Sequence, residues 1–243
     1  MQYPSKAALA LALLAPWGLS QAIELNEDLA LYLDAGVYSD YRTRGISQTQ
    51  NDPALQGSAT LSHSSGLYAG VWSSNVDFGL GSKTRQEIDY YAGYNWQISD
   101  DISLDSAYFQ YEYPRQSELN YGEYFSQLTA YGAKLGAYYS DNLGGDQSYL
   151  YSYVGYEALL PADVALDLRY GNVDLKDPLL LDGSGDTRDS YREWQLKLSK
   201  ELFGLNWSAS YVDTDLGDNE CANYMGFDDV CSATLVLGAN KSF

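Results

Sequence analysis

Apolar and polar residues alternate with a period of two along most of the chain, the pattern of strands with one apolar face. DLALYLDAGVY places Leu29, Leu31, Leu33, Ala35 and Val37 on one face, opposite Asp28, Tyr32, Asp34 and Tyr38. EIDYYAGYNW sets Ile88, Tyr90, Ala92, Tyr94 and Trp96 against Glu87, Asp89 and Asn95. In VALDLRY and REWQLKLS, the apolar set Leu166, Leu168, Trp194, Leu196 and Leu198 opposes Asp167, Arg169, Glu193, Gln195 and Lys197. LNWSASY sets Leu205, Trp207, Ala209 and Tyr211 against Asn206, Ser208 and Ser210. No segment carries a convincing helical stripe.

The alternation predicts twelve strands, near 28–38, 54–63, 66–77, 84–96, 101–112, 121–130, 133–140, 147–158, 162–171, 188–199, 204–214 and 230–243. The faces of 66–77 and 147–158 stay ambiguous, because both sides carry Tyr or aliphatic residues. The break at Tyr131-Gly132 has the weakest signal, and without it the count falls to eleven. The connections alternate in length. The long ones are 39–53, 78–83, 113–120, 141–146, 172–187 and 215–229, and the short ones fall between them. Short turns on one side, long loops on the other and an even strand count are the layout of a transmembrane barrel.

Composition sharpens this. No stretch after the N-terminus approaches the roughly 20 apolar residues that a membrane helix needs. Yet the chain has 24 Tyr, a residue suited to positions with one apolar and one wet side. A barrel with an apolar outside and a polar inside reconciles these with a mean hydropathy of −0.34. The fold expected is all-β, an up-and-down antiparallel transmembrane β-barrel of twelve strands. A periplasmic sandwich or lipocalin-like barrel is the soluble alternative. At the N-terminus, Lys6 precedes AALALALLAPWGLSQA, with Ser20 and Ala22 at the two positions a signal peptidase reads. Residues 1–22 read as a cleaved signal peptide, or else a short anchor, and 23–243 as the barrel. The net charge of −19 speaks against nucleic acid as a partner. Export permits a disulfide between Cys221 and Cys231, closing the small loop CANYMGFDDVC.

The segment SDYRTRGISQTQNDPALQGS, followed by SGLYAGVWSSNVDF, resembles the N-terminal signature of the TorF-type porin family, carried by Ser39, Asp40, Tyr41, Arg44, Gly45, Ile46, Ser47 and Gln48, then by Asp52-Pro53-Ala54 and Gly66 to Asn75. The similarity covers about the first 60 residues after the signal, a span set by those quoted segments and consistent with a strand-rich start. It implies a porin-type outer-membrane barrel of a Gram-negative bacterium, with no catalytic residue and no established substrate. The last residues, SATLVLGANKSF, place Leu235, Leu237, Ala239 and Phe243 on one face and resemble the terminal strand read by the outer-membrane assembly machinery. Lys241 departs from that pattern.

Chemistry-bearing residues are few. His63 is the only histidine, in LSHSSG at a predicted short turn, the wrong level for a hydrolase acting on outer-leaflet lipid. The acidic loops, with Asp174, Asp177, Asp182, Asp186 and Asp189 and then Asp213 to Asp229, lack a calcium-loop spacing. PLLL at 178–181 is unusual for an exposed loop: it either folds back into the mouth or extends a strand. Inward parity collects Asp34, Glu87, Asp89, Asp105, Glu123, Asp167 and Glu193 against Lys134, Arg169 and Lys197. If the first strand runs past Tyr38, Arg42 and Arg44 join that set at the mouth, facing Glu87 and Asp89 across a constriction; otherwise they bind lipopolysaccharide phosphates. The expected function is passive diffusion of small polar solutes through the outer membrane, mildly favouring cations, with no enzymatic step and no cofactor or metal. Both termini would be periplasmic, and lipids and lipopolysaccharide the surroundings. A closed structural or adhesion barrel and a rim-located hydrolase are the alternatives.

Overall fold

The computed structural model describes residues 22–143 and 147–243. The expected signal peptide, residues 1–22, lies outside the described residues except for Ala22. Twelve antiparallel strands close into a barrel: β1 (Leu29–Tyr38), β2 (Ala54–His63), β3 (Leu67–Asn75), β4 (Gln86–Ser99), β5 (Ile102–Glu112), β6 (Tyr121–Ala130), β7 (Ala133–Ser140), β8 (Tyr149–Leu160), β9 (Val164–Leu175), β10 (Ser190–Leu202), β11 (Leu205–Thr214) and β12 (Thr234–Ser242). Each pairs with its chain neighbour, and β12 returns to β1, from Gly238 opposite Tyr38 to Ser242 opposite Asp34. Below that seam Ile23–Glu24 pairs with Leu31 and Ala30, and the Phe243 N–H donates to the Leu33 carbonyl at 2.9 Å. Both described ends of the barrel thus lie beside the short turns.

The alternation explains the closure. Val37, Leu55, Leu135, Val154 and Leu235 are each more than half exposed on the outside, within a continuous belt of Leu, Val, Tyr and Trp. A sheet with such an outer face leaves no edge unpaired when it closes on itself. The two ambiguous strands resolve by size. Tyr68 of β3 and Tyr149, Tyr151 and Tyr153 of β8 point inward, while Leu67, Leu150 and Val154 point out. Inward rings fit where the neighbouring strand has glycine: a Cβ at Gly136 would come 2.3 Å from the Tyr153 ring, and one at Gly171 2.4 Å from Tyr151.

The short turns are built for hairpins. Tyr131 and Gly132 have φ of 52° and 84°, and Phe203 and Gly204 have 58° and 73°, the left-handed pair of a two-residue turn that matches strand twist. This is the break between β6 and β7. Phe203 is almost fully exposed at the tip.

Three features differ from the sequence expectation. First, β1 ends at Tyr38 as its pattern predicts, but residues 39–53 fold inward rather than extending its parity, with a two-residue hairpin pairing Arg42–Thr43 with Ile46–Ser47. Second, β12 begins at Thr234 rather than near 230, because Val230 and Cys231 belong to the preceding loop and give their carbonyls to Ser47 and Thr214. Third, that loop holds a helix, α1 (Asp218–Met225), too short and weakly amphipathic for a stripe to stand out. Of the two alternatives for PLLL, the inward fold holds: Leu180 is fully buried, beneath α1.

The outward parity is testable. Val154→Arg, near the middle of β8 on the apolar belt, is expected to cost about 2–4 kcal/mol in lipid vesicles. Urea unfolding of vesicle-reconstituted protein checks it, and no loss would mean that the belt does not face hydrocarbon.

Candidate functional site

The interior is built from inward side chains of every strand and from the loop that follows β1. At the tip of its hairpin Arg44 and Gly45 have φ of 50° and 85°. Glycine is needed here twice over: for that backbone conformation, and because a Cβ would lie 2.3 Å from Thr214 Cγ2. The tip therefore reaches across the barrel to the β10–β11 wall, where the Tyr191 hydroxyl donates to the Arg44 carbonyl at 3.2 Å.

The two arginines part company. The Arg42 side chain is 3% exposed, held by Asp40 at 2.6 Å. Its guanidinium also donates to the carbonyls of Gly45 and Ser232 and to Asn51 Oδ1 and Thr234 Oγ1, at 2.7–2.9 Å. Asp40 in turn accepts from the hydroxyls of Ser47 and Thr49. Arg42 fastens the loop to the start of β12. Arg44 reaches further into the bore. Its Nη2 donates to Glu123 Oε1 of β6 at 2.5 Å, and its guanidinium carbon lies 5.3, 4.9 and 5.2 Å from the rings of Tyr138, Tyr149 and Tyr151. The expected pairing of both arginines with Glu87 and Asp89 is thus corrected. The chain leaves β1 at Tyr38, so strand parity ends before either arginine.

Tyrosine hydroxyls partner four of the interior acids. Tyr41 donates to Glu87 at 2.8 Å, Tyr68 to Asp105 at 2.7 Å and Tyr111 to Glu123 at 2.5 Å, and Tyr151 donates to Glu193. Glu193 also pairs with Arg169 Nε at 2.9 Å. Nearer the short turns, Lys134 bridges Glu157 at 2.7 Å and Asp167 at 2.8 Å. Asp34 accepts from Asn240 and Ser242. Asp89 Oδ1 is buried without a partner, and Lys197 makes no hydrogen bond or ion pair among the described residues.

The bore is divided. An outer cavity of about 430 Å³ lies toward the long loops, and an inner one of about 450 Å³ lies within the strands. Thr43 and Arg44 line both, so the hairpin tip is the partition. Asp34, Arg42, Asp89, Arg169 and Lys197 line the inner cavity, Glu87, Asp105 and Glu193 are buried in the wall behind it, and Asp167 is part-exposed beside Lys134. One side of this cavity is aromatic, with Phe109, Phe125 and Tyr138, and the other is polar, with Gln56, Ser58, Ser208 and Ser210.

Above the bore sits a cap. Cys221 of α1 is bonded to Cys231. Arg188 fastens α1 by donating to both oxygens of Glu220 at 2.5 and 2.8 Å. This hydrogen bond holds the Glu220 carboxyl below its ordinary value, against a smaller opposing effect of burial. Asp182 is occupied locally, accepting from the backbone and hydroxyl of Ser184. At the opposite end His63 Nδ1 meets Ser65 Oγ at 2.9 Å, while Ser64 donates to Asp28: two separate exposed pairs. Among the described residues no cluster of three or more His, Cys, Asp or Glu is arranged to hold a metal ion.

Height in the barrel was readable before the structure: Glu87, Asp89, Glu123 and Glu193 all fall within a few residues of the upper strand ends. Which of them the arginine meets was not, because that depends on the azimuth of an irregular loop. Tyr41 and the Tyr138–Tyr149–Tyr151 cage left no signal beyond the abundance of Tyr.

A family model described as "Bacterial protein of unknown function (Gcw_chp)" matches residues 27–243, and the chain belongs to that family. The TorF name suggested by the opening residues is not the name under which the family appears. No curated protein matches. A solved structure described as "Unveiling the Mechanism Behind the in-meso Crystallization of Membrane Proteins" is 11% identical with a TM-score of 0.53, over 87% of this chain and 83% of that one. A NanC porin structure is 12% identical with a TM-score of 0.49, over 87% and 98%. The outer membrane protein OprD from Pseudomonas aeruginosa is 10% identical with a TM-score of 0.39, over 91% and 66%. At 11% identity the first likeness is one of fold alone, and the other two, below 0.5, add no weight to it.

Arg42→Met would leave Asp40 as an uncompensated buried charge, at a cost of about 3 kcal/mol. The expected result is faster proteolysis within 40–51 in the otherwise folded barrel. The cap has its own pH dependence. The folded Glu220 carboxyl titrates below its ordinary value of 4.5, so the Arg188 link contributes fully above that value and is lost as pH falls through the lowered one. Amide exchange across 218–225 is expected to quicken on acidification in this window, and Glu220→Gln to remove the dependence.

Proposed function

We propose that this member of the Gcw_chp family is an outer-membrane channel, with both termini periplasmic and residues 1–22 removed on export, that passes small polar solutes by diffusion. The observation that carries the reading is the pair of cavities in series inside a closed barrel, both lined by the hairpin tip at Thr43 and Arg44. No chemical step is part of it: selectivity comes from bore width and wall charge. The outer belt meets lipid, the long loops meet lipopolysaccharide, and the strand ending in Phe243 is the element presented to the assembly machinery.

The preference is for cations. Arg44, Arg169 and Lys134 are each engaged by an acid, whereas Asp34, Glu87, Asp89 and Asp105 have no basic partner among the described residues and Lys197 has no acidic one. More interior acids than bases thus lack an opposite partner, which supports that preference. Arg44 lines both cavities, paired with Glu123, so it narrows the path and offsets that acid. The second reading, a closed structural or adhesion barrel, is favoured by one observation: the tight fit of Gly45 against Thr214, which seats the tip across the bore.

Planar-bilayer recording separates the two. The channel reading expects small discrete conductance steps and a cation-selective reversal potential in a salt gradient. Arg44→Gln is expected to raise both conductance and cation selectivity, while Arg42→Gln loosens the loop without the same change in selectivity per open channel. Silent bilayers from protein that remains heat-modifiable would favour the closed barrel.

A further inference from the structure

The outer cavity has a chemistry that passive diffusion does not use. Its wall is largely apolar, with Ile46, Leu119, Val173, Leu175 and Met225 among its residues. Among the described residues Arg44 is the one charged side chain that lines it. Two donors on residues that line it have no acceptor among the described residues: the buried Nε–H of Arg44 and the buried hydroxyl of Tyr149. They form one patch, since the Arg44 guanidinium carbon stands 4.9 Å from the Tyr149 ring. Tyr149 is 3% exposed. Buried donors left unmatched are costly, so a small turn of these side chains toward the apolar vestibule is rewarded when an acceptor enters it.

The charge around the patch decides what kind of acceptor. Glu123 already holds Arg44 Nη2 at 2.5 Å, so the guanidinium is both fixed in place and neutralised before anything binds. The whole chain carries a net charge of −19, and the long loops contain Asp177, Asp182, Asp186, Asp228 and Asp229. An anion would approach through a repulsive field and meet a cation already paired. A cation would find donors where it needs acceptors. An uncharged oxygen suffers neither penalty.

We propose that the outer cavity is a binding site for uncharged, mainly apolar or aromatic molecules carrying a carbonyl-type oxygen, which accepts from Arg44 Nε and the Tyr149 hydroxyl while the body packs against the vestibule wall. The site stands on the cavity and its orphan donors, and does not depend on whether the barrel conducts.

The test compares three probes of one shape and different charge: naphthaleneacetamide, naphthaleneacetate and naphthylethylamine. Calorimetric titration of the full barrel in detergent, against detergent alone, reads binding without requiring conductance. The amide is expected to bind at least five times more tightly than either charged probe. Tyr149→Phe, which keeps the ring and removes the hydroxyl, is expected to weaken the amide about fivefold to tenfold, on the scale of one lost hydrogen bond to a neutral group. Val173→Trp, which fills the cavity, is expected to abolish binding, with heat-modifiability on gels confirming that each variant is folded. Tighter binding of the acetate or the amine, or an amide affinity indifferent to both substitutions, would overturn the proposal. A barrel that binds the amide yet stays silent in bilayers would sink the channel and leave this site standing.

Discussion

Every backbone N–H and C=O in the apolar belt must find its partner within the sheet, and the rest of the molecule depends on that requirement. The seam from β12 to β1 is where it is met last, with Ile23–Glu24 and the Phe243 amide completing the row of bonds along β1. Once the sheet is closed, side-chain direction is no longer negotiable. A residue of one parity faces out into apolar surroundings, and its neighbour is confined to a bore that is narrow enough for opposite walls to touch. The interior must then satisfy a crowd of carboxylates from the available donors.

Tyrosine is the donor that the sequence supplies in quantity, and its two ends explain why. The ring fills volume between strands, resting over glycines such as Gly136 and Gly171, while the hydroxyl reaches an acid. Tyr41, Tyr68, Tyr111 and Tyr151 thereby serve Glu87, Asp105, Glu123 and Glu193 without adding charge. Lysine or arginine at these positions would have neutralised the acids. Tyrosine keeps them hydrogen-bonded within a close-packed aromatic face, and Glu123 and Glu193 are in addition paired with Arg44 and Arg169.

The loop after β1 turns this lined tube into two compartments. Its base is held by Arg42 and Asp40, its middle by Ser47 on the Val230 carbonyl, and its tip by Arg44 on Glu123. The loop that receives it is itself braced by the Cys221–Cys231 bond and by Arg188 on Glu220. Hairpin and cap therefore form one connected structure above the inner cavity, and a change in either is felt at the partition. The aromatic cage around Arg44 belongs to both, since Tyr149 and Tyr151 line the bore and their neighbour Leu175 packs beneath the cap.

The sequence by itself determined what depends on neighbours one or two residues away. Strand number, the alternation of long and short connections, the turn at Tyr131-Gly132 and the inward parity of Asp34, Glu87 and Glu193 all follow from period-two patterning and turn chemistry, which are local. Strand ends moved by a few residues where a loop took over the backbone bonds, as at Val230. What only the tertiary structure decided is where the irregular segments point once they leave the sheet. Arg42 and Arg44, two residues apart, share a parity that has no meaning after Tyr38, and one is fixed by β12 and the other by β6. The same holds for Leu180 beneath α1 and for the orphan hydroxyl of Tyr149. Each is settled by contacts with residues far along the chain, and the distances that create those contacts exist only after the barrel has closed.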